Sequence, residues 1–341
     1  MATTGTAGSA GANCMTPPEP SALVGWAAVS GSGVTTTTGG GSATPQAVTT
    51  LSALSAAAAG SNPAVTYVTG VLAAGTLTIG SNKTIVGLCG AEIHGRVDMM
   101  GASNIIVRNI KIVGYGVGNC ALDPDYDAAV GCSSGNDAVT IMGAQHIWFD
   151  HDDISDGTDG NLDITLGADF VTVSWTKFHY TARTDNTGND STGASGHRFS
   201  NLVGGGDNSA VDVGKLNVTW HHNWWADRVM ERQPRIRYGK NHLFNNLWTS
   251  SGDNYCVRAG TNAQILLENN AFVGVKTPQE FNNTADQGTA NITSRDNVYT
   301  STSGGQATGG GGTPFTTPSY TYTADTASTV QAAVQAGAGP R

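Results

Sequence analysis

The sequence predicts an all-β solenoid of the parallel β-helix type, and three observations carry this prediction. Thr, Ser, Asn and Val are abundant while Leu, Glu and Lys are scarce, so the composition suits strands better than long helices. Charged residues make up only 13% of the chain and glycine reaches 46 residues, which favours many short strands joined by tight turns. Strand-like segments of one pattern recur about every 24 residues with no helix between them, as stacked coils require.

The N-terminal residues 1–21 are predicted to be a flexible segment, and residues 22–341 a single solenoid domain, because no second domain is visible in the sequence. The first twenty residues lack the charged start and the apolar core of a signal peptide. Their Met-Ala start suggests that a leader was replaced, so we expect the export signal to be absent from this sequence.

Both ends of the solenoid are predicted to be capped. The segment VTTLSALSAAAAG, from residue 48, indicates one short helix that is ended by Gly60 and covers the first coil. Residues from 301 onward are rich in Gly, Ser, Thr and Pro and indicate a loop or extended strap. The segment TASTVQAAVQAGAG that follows the strap indicates a second helical cap.

The repeat lies in the middle of the chain, where each unit has two or three apolar residues, a polar residue or pair, and another apolar residue. One position aligned in six units gives intervals of about 24, 47, 24, 23 and 27 residues, the long one holding an insertion. The aligned residues are Asp150, Ser174, His221, Asn245, Glu268 and Arg295. Side chains at equivalent positions stack, so internal hydrogen-bonded ladders are expected. Their expected members are Asn223, Asn246, Asn270 and His222.

Charge and hydropathy exclude two classes of partner. The net charge of −9 argues against nucleic-acid binding, which needs a basic face. No run of 18 apolar residues occurs, so no membrane-spanning helix is predicted. We therefore expect neither nucleic acid nor a membrane as a partner, and we expect a monomer.

The chain has five cysteines, so at least one thiol is unpaired. Cys120 and Cys132 flank a short Gly/Asp-rich segment and could close a loop, whereas Cys14 and Cys89 are a weaker second pair. Disulfides would indicate an exported protein. The alternative is that the cysteines are buried free thiols.

Positive charge is concentrated in RVMERQPRIRYGK, residues 228–240, which holds five of the 17 basic residues.

Three acids stand out elsewhere. Asp137 precedes a strand in GNDAVTI, and Asp159 and Asp163 lie four residues apart in DGNLDI. A Gly bend between two carboxylates lets them converge on one cation, and calcium accepts irregular sets of oxygen ligands. The alternative for these acids is ordinary turn chemistry.

Two long stretches together resemble polysaccharide lyase family 1, the pectate lyases. They are IWFDHDDISDGTDGNLDITLGADFVTVSWTKF and LNVTWHHNWWADRVMERQPRIRYGKNHLFNN, and the resemblance extends from about residue 22 to the C-terminus. It implies a right-handed parallel β-helix, in agreement with the repeat. It also implies that Asp137, Asp159 and Asp163 bind calcium, and that Arg232, the first arginine of RQPRIR, is the catalytic base.

The resemblance implies roles for further basic residues. Arg237, the last arginine of the motif, would bind a substrate carboxylate, whereas Arg235 would support the structure or pair with an acid. The family's substrate-binding lysine is missing, and Arg198 in HRFSNLVGGGD is the candidate replacement, with Arg183 as its rival. An arginine can still hold a carboxylate there, with different geometry from an ammonium.

Two other positions depart from the family pattern. Thr165 stands where some members carry a lysine just past the second acid, which puts one substrate contact in doubt. Gly135 stands where the family has a further acid two residues before Asp137, so that calcium ligand is absent.

His151, His221 and His222 are expected to be satisfied core or ladder histidines. The tryptophans of the repeat, Trp224, Trp225 and Trp248, are expected to pack in the core or at a coil edge rather than to stack on sugar.

The function implied by the resemblance is cleavage of polygalacturonate, the backbone of pectin, by β-elimination to 4,5-unsaturated products outside the cell. Free arginine stays protonated to about pH 12, so an arginine base implies an alkaline pH optimum. Three alternatives remain open: a calcium-independent pectin lyase, a polygalacturonase, and a non-catalytic pectin-binding solenoid. The three acids argue against the first, and the motifs that a hydrolase with paired carboxylates would need are not found.

Overall fold

The computed structural model describes residues 14–116, 120–129, 136–181 and 197–341. Its described strands form one continuous sheet of 23 members in which every strand-to-strand pairing is parallel. The predicted parallel β-helix is thus confirmed. The strands are β1 (Gln46–Val48), β2 (Ala64–Thr78), β3 (Lys83–Met100), β4 (Ser103–Arg108), β5 (Lys111–Val113), β6 (Val139–Met142), β7 (Gln145–Asp150), β8 (Asp153–Ser155), β9 (Leu162–Thr165), β10 (Asp169–Ser174), β11 (Lys177–His179), β12 (Leu202–Val203), β13 (Val218–His221), β14 (Trp224–Trp225), β15 (Arg235–Ile236), β16 (Lys240–Phe244), β17 (Leu247–Trp248), β18 (Val257–Ala259), β19 (Gln264–Glu268), β20 (Ala271–Val273), β21 (Gln279–Phe281), β22 (Asn291–Arg295) and β23 (Val298–Thr300).

The pairings sort the strands into three faces that the chain visits in turn. Face 1 contains β6, β9, β12, β15, β18 and β21. Face 2 contains β1, β4, β7, β10, β13, β16, β19 and β22, and face 3 contains β5, β8, β11, β14, β17, β20 and β23. The long strands β2 and β3 bend through all three faces.

Successive side chains of each strand point alternately into and out of the coil, and the inward ones fill the core. In β9, Leu162 and Ile164 are fully buried and belong to the main core, while Asp163 between them points outward. Large rings fill the later coils as a continuous stack. Trp225 and Trp248 lie parallel with centroids 4.7 Å apart, and Phe272 continues the stack at 4.3 Å. These two tryptophans therefore pack in the core, as predicted.

A ladder of asparagines runs through the turns between faces 2 and 3. The side-chain oxygen of Asn246 accepts from the backbone N–H of Asn223 at 2.9 Å, and that of Asn270 accepts from the N–H of Asn246 at 2.8 Å. The three predicted asparagines are confirmed as ladder members. His222 is not one of them, because its ring stacks on Trp175 at 4.2 Å and contacts Asp325 of the C-terminal residues.

The predicted alignment of the repeat is right at five of its six positions. Register pairs His221 with Phe244 and Phe244 with Glu268, so Asn245 was placed one residue too far along the chain. Asn245 instead occupies the following turn position with a φ of 54°, equivalent to His222 at 57°. The equivalent residue, Phe244, is apolar where the other units carry a polar side chain, so only the strand pairing identifies it.

The N-terminal end of the solenoid is covered by a helix, as predicted. Helix α1 (Leu51–Ala58) begins at Thr50, whose hydroxyl accepts from the N–H of Ala53 at 3.2 Å, and its Leu54 and Ala58 enter the main core. A short helix α2 (Thr284–Thr289) lies in a turn after face 1. The C-terminal helix α3 (Ala327–Gly337) packs Val330 and Val334 against Leu247 and Ala271 on the outer side of face 3. The prediction that this helix caps the far end of the solenoid is therefore wrong.

The termini are held to the coils by specific contacts. Cys14 and Cys89 form a disulfide, so the second of the two predicted pairs is confirmed, and Cys256 is a buried free thiol. Cys120 is disulfide-bonded as well, while Cys132, its predicted partner, lies outside the described residues, as do residues 1–13 of the predicted flexible segment. Every helix in the described part of the chain is too short or too polar to cross a bilayer.

Candidate active site

Three acids meet on the outer surface of face 1. Asp163 projects outward from β9, Asp137 lies two residues before β6 on the preceding coil, and Asp159 lies in the bend that leads into β9. Parallel pairing of Val139 with Leu162 brings the two coils together at this point. Gly160 forms the bend, and a Cβ there would come within 2.8 Å of Asp137 Oδ1, so only glycine lets the acids approach.

The carboxylates of the three acids converge closely. One oxygen from each of Asp137, Asp159 and Asp163 lies within 4.8 Å of the other two. Asp163 Oδ1 also accepts the backbone N–H of Leu202 at 2.8 Å, whereas Asp137 Oδ1 is buried and has no hydrogen-bond partner. Buried carboxylate oxygens are expensive unless they are paired or bind a metal, so this donor set fits a hard divalent cation such as calcium.

The pKa values of the three acids also fit a bound cation. Burial, and then the negative charge of Asp159, raise the pKa of Asp137 to about 7. Burial and the charge of Asp137 also raise the pKa of Asp163 well above its usual range. Burial pushes the pKa of Asp159 upward too, but the His197 hydrogen bond and the charge of Arg232 outweigh it and lower that pKa.

Arg232 lies beside the acid cluster. Its Nη1 is 3.8 Å from Asp159 Oδ1, and its guanidinium lies over the ring of Phe199 at 4.2 Å from the centroid. The side chain is 18% exposed, so it is positioned by packing yet open on one side. The structure therefore brings together the predicted base and all three predicted metal ligands.

Arg237 lies on the same face but is already engaged. Its Nε donates to Asp207 Oδ1 at 2.5 Å, and its Nη1 donates to the carbonyl oxygen of Gly204 at 2.9 Å. These bonds use part of the five N–H donors of a guanidinium and fix its plane. The remaining donors are the ones that a substrate carboxylate could use.

Arg198 and Arg183 are the two candidates to replace the family's substrate-binding lysine, and of the two only Arg198 is among the described residues. Arg198 is half-buried and precedes Phe199, whose ring contacts Arg232. Its carbonyl oxygen accepts the N–H of Met230 at 2.9 Å. Arg183 lies outside the described residues, as does Gly135. Thr165 follows Asp163 by two residues and points outward from the same strand.

Arg235 serves a structural contact. It donates from Nη2 to the amide oxygen of Asn282 at 3.2 Å, across two coils of face 1. Burial, and then the charges of Arg237 and other neighbours, lower its pKa. Within the described residues its hydrogen-bond partner is therefore an amide rather than an acid, and the predicted supporting role fits this contact.

His197 is a site residue that the sequence did not reveal. Its Nε2 lies 2.7 Å from Asp159 Oδ1, and its ring lies 4.1 Å from that of Phe199. The only available signal was its place next to Arg198 in HRFSNLVGGGD. The chain distance of 38 residues to Asp159 hides this pairing until the coils are stacked.

Comparison with known proteins gives one consistent result. A family model described as Pectate lyase matches residues 2–341. Pectate lyase B of Colletotrichum gloeosporioides is 33% identical over 296 residues, which cover 84% of this chain and 77% of that protein. Pectate lyase E of Dickeya chrysanthemi is 33% identical over 296 residues, covering 74% of this chain and 67% of that protein.

Solved structures share the fold. A pectate lyase bound to a hexasaccharide matches with a TM-score of 0.71 at 22% identity, over 93% of this chain and 96% of that one. The cedar pollen allergen Jun a 1 matches with a TM-score of 0.71 at 20% identity, over 94% of this chain and 93% of that one.

Proposed function

The chain belongs to the pectate lyase family, and from this premise we propose that it cleaves polygalacturonate by calcium-dependent β-elimination with Arg232 as the base. The observation that carries the proposal is the placement of the Arg232 guanidinium 3.8 Å from Asp159, at the edge of the three-acid cluster. A proton-accepting group and a cation site side by side are what removal of a proton next to a carboxylate requires.

Calcium is the cofactor in this proposal, and Asp137, Asp159 and Asp163 are its protein ligands. Calcium held by these three acids would supply positive charge close to the substrate carboxylate, where negative charge develops as the proton leaves. The partnerless oxygen of Asp137 and the raised pKa values of Asp137 and Asp163 support this. A bound cation would pair with that oxygen and would favour the ionised form of both acids.

Arg232 would act on the carbon that bears the reacting proton. Its neutral guanidine takes the C5 proton, the C5–H electron pair forms the C4–C5 double bond, and the bond from C4 to the glycosidic oxygen breaks. The leaving oxygen takes a proton from water. Because a guanidine must be neutral to accept a proton, the rate should rise toward an alkaline optimum.

Substrate carboxylates would be held by Arg237 and Arg198. Arg237 is fixed by Asp207 and Gly204, so its free N–H groups are already oriented before substrate arrives. Charge-assisted bonds of this kind are about twice as strong as neutral ones, and they would hold a polyanion on an otherwise acidic chain. Arg183, the rival of Arg198 for this role, lies outside the described residues.

The enzyme would work outside the cell. The Cys14–Cys89 disulfide supports export, because such bonds persist in oxidising compartments. The single solenoid domain over residues 22–341 and the monomeric state stay predictions alongside this one.

Two assays run on one reaction test the type of chemistry. Polygalacturonate is incubated with the protein and calcium, and both new reducing ends and the ultraviolet absorbance of unsaturated uronide are counted. The proposal predicts one unsaturated end for each new reducing end. Reducing ends without absorbance would show a hydrolase, and neither signal would show a binding protein on this fold.

A further inference from the structure

A second cleft, here called the face 2 cleft, opens along the turns that lead from face 1 to face 2. Its volume is about 750 Å³, within the range of roughly 300–1,000 Å³ that small-molecule sites occupy. Its walls come from three separate parts of the chain: Trp26 of the N-terminal segment, Lys215 of the turn after β12, and Thr313 of the C-terminal strap. None of the three acids of the cluster lines it, so it is distinct from the candidate active site.

Both terminal segments are fixed where they form walls of the cleft. The indole N–H of Trp26 donates to the carbonyl oxygen of Lys240 at 3.0 Å, and the Trp26 ring lies 6.5 Å from that of Phe315. In the strap, the backbone N–H of Gly312 donates to the carbonyl oxygen of Ala290 at 3.0 Å. The walls are therefore in place before a ligand arrives, which lowers the cost of ordering on binding.

One residue from each of four adjacent coils lines this cleft. Strand pairing stacks the positions near the start of β10, β13, β16 and β19. The residue after each of these positions is fully buried, so the side chains at the positions themselves point outward. They form one surface, here called the face 2 row: Phe170, Asn217, Lys240 and Gln264. Adjacent coils are about 4.8 Å apart, so the row spans roughly 14 Å along the solenoid.

The face 2 row offers polar groups that the protein itself does not use. Lys240 is exposed and forms no ion pair among the described residues, and the side-chain amide of Gln264 has no hydrogen-bond partner among them. The row is also held in place. The side-chain oxygen of Asn217 accepts the backbone N–H of Lys240 at 3.1 Å, and Phe170 stacks on His146 with ring centroids 4.6 Å apart. An ammonium, an amide and an aromatic ring in one line suit the carboxylate, the hydroxyls and the apolar face of a uronate sugar.

The cleft is locally positive although the chain is acidic. Asp169 is the single acid in its described lining, and Asp169 Oδ1 accepts the backbone N–H and the side-chain amide of Asn217 at 3.0 and 2.8 Å. The other oxygen of Asp169 lies 3.7 Å from Lys215 Nζ. Lys215 thus offsets Asp169, and the charge of Lys240 is left for a ligand. On a chain with a net charge of −9, such local positive charge is what attracts a polyanion.

We propose that the face 2 cleft is a second, non-catalytic binding site for an acidic polysaccharide strand, which anchors the polymer on which the lyase site acts. This inference rests on the proposed function, because the substrate of the lyase is the source of the strand. Lys240 binds a uronate carboxylate, and Gln264 bonds hydroxyl groups of a neighbouring sugar. The described lining has one acid and no arginine, so it lacks the groups that the proposed reaction uses. A long chain held at two places dissociates less readily than one held at a single place.

Affinity electrophoresis tests binding without cleavage. The protein migrates through native gels that contain EGTA and increasing amounts of polygalacturonate, and its retardation relative to a polymer-free gel gives the dissociation constant. The variants are Lys240→Gln, Lys240→Arg and, as a charge-matched control, Lys111→Gln, since the Lys111 side chain is 46% exposed on β5 of face 3.

Lys240→Gln should raise the dissociation constant roughly two- to fivefold, which is what one exposed ion pair contributes. Lys240→Arg and Lys111→Gln should bind as the wild type does. An unchanged constant in Lys240→Gln, an equal loss in Lys111→Gln, or a wild-type protein that the polymer does not retard would overturn the inference.

Kinetics on substrates of two lengths give an independent outcome. Lys240→Gln should raise KM on polygalacturonate in calcium and leave kcat unchanged, and it should leave both constants on trigalacturonate unchanged, because a trimer in the cleft is not joined to one at the lyase site. An equal rise in KM on both substrates would place Lys240 at the lyase site and overturn the inference. Failure of the wild-type protein to form unsaturated uronide would overturn the proposed function, while the electrophoresis would still decide whether the cleft binds the polymer.

Discussion

At the scale of single residues, the site depends on a few side chains that the fold forces into contact. Arg232 is held between the ring of Phe199 and the carboxylate of Asp159. The left-handed backbone of Arg232, with a φ of 55°, sets the direction in which its side chain leaves the coil.

Replacing Arg232 should remove most of the activity without unfolding the protein. Arg232→Ala should lower kcat on polygalacturonate about 10²- to 10⁴-fold, because that is the usual contribution of a general base. Steady-state rates by ultraviolet absorbance measure this. Arg228→Ala removes an exposed arginine of the same sequence cluster and should keep the wild-type rate. A comparable kcat in Arg232→Ala would exclude it as the base.

Asp137 should make the metal-free protein less stable as pH rises. Its pKa is raised to about 7 in the folded state, so the folded protein holds a proton that the unfolded chain releases above about pH 4. The free energy of unfolding should therefore fall between about pH 4 and pH 7 and then level off.

Thermal melts of metal-stripped protein across this pH range measure the effect, with Asp137→Asn as the control. The variant should show a smaller decline than the wild type, and added calcium should raise the wild-type Tm more at pH 8 than at pH 5. Parallel curves for the two proteins would mean that Asp137 does not hold the extra proton.

The candidate site was only partly readable from the sequence. The motifs located Asp137, Asp159, Asp163 and Arg232, and the structure places them together. The contact of His197 with Asp159 was not readable, because stacking of coils, not sequence spacing, creates it.

The engagement of Arg237 by Asp207 was hidden for a similar reason. The two residues are 30 positions apart, and the turn after face 1 that carries Asp207 has no periodic signal. A motif states which residue type stands at a position, whereas the partner that orients it is decided by the three-dimensional path of the loops.

At the scale of elements, the turns between faces 2 and 3 are the most regular part of the molecule. Residues such as His151, Trp175, Asn245 and Asn269 all take a positive φ between 49° and 57°, and the asparagine that follows in the later coils points into the ladder. Each ladder amide satisfies a backbone N–H of the coil before it. The turn therefore repeats because its hydrogen bonds connect adjacent coils.

Breaking this ladder should cost stability and leave catalysis intact. Asn246→Ala removes the acceptor of the Asn223 N–H and should lower the free energy of unfolding by roughly 1–3 kcal/mol, the cost of an unsatisfied buried group. Denaturant unfolding measures it, with Asn208→Ala in an exposed turn as control. A loss no larger than in the control would show that water replaces the ladder.

Element positions were predictable where periodicity was strong. The strands of the repeat and helices α1 and α3 were located from pattern and composition. The alignment was wrong by one residue at Asn245, because the equivalent residue, Phe244, is apolar where the other five units carry a polar side chain.

At the scale of the whole molecule, the two chain ends are fastened to the coils. The Cys14–Cys89 disulfide ties residues 75 positions apart, and Arg108 Nη1 donates to the carbonyl oxygen of Pro18 at 2.6 Å beside it. At the other end, the hydroxyl of Tyr320 lies 2.6 Å from that of Thr219 on face 2. A solenoid has open edges at both ends, and such fastenings protect it from fraying.

Removing the disulfide should weaken the molecule globally. The Cys14→Ser, Cys89→Ser double variant should lose roughly 2–4 kcal/mol in the free energy of unfolding, since the cross-link restricts the unfolded chain. Calorimetry measures the loss, and the buried free thiol variant Cys256→Ser separates it from a simple loss of sulfur. An unchanged Tm would mean that the N-terminal segment does not contribute to cooperative unfolding.

In the proposed function, the acid cluster of face 1 and Arg232 form one calcium-dependent lyase site. The most direct measurement is the ultraviolet absorbance of unsaturated uronide formed from polygalacturonate, first with calcium, then with EGTA, then with calcium restored. We expect a rise in absorbance that EGTA abolishes and excess calcium restores. A rise that EGTA leaves unchanged would contradict it, because the three aspartates would then have no part in the reaction.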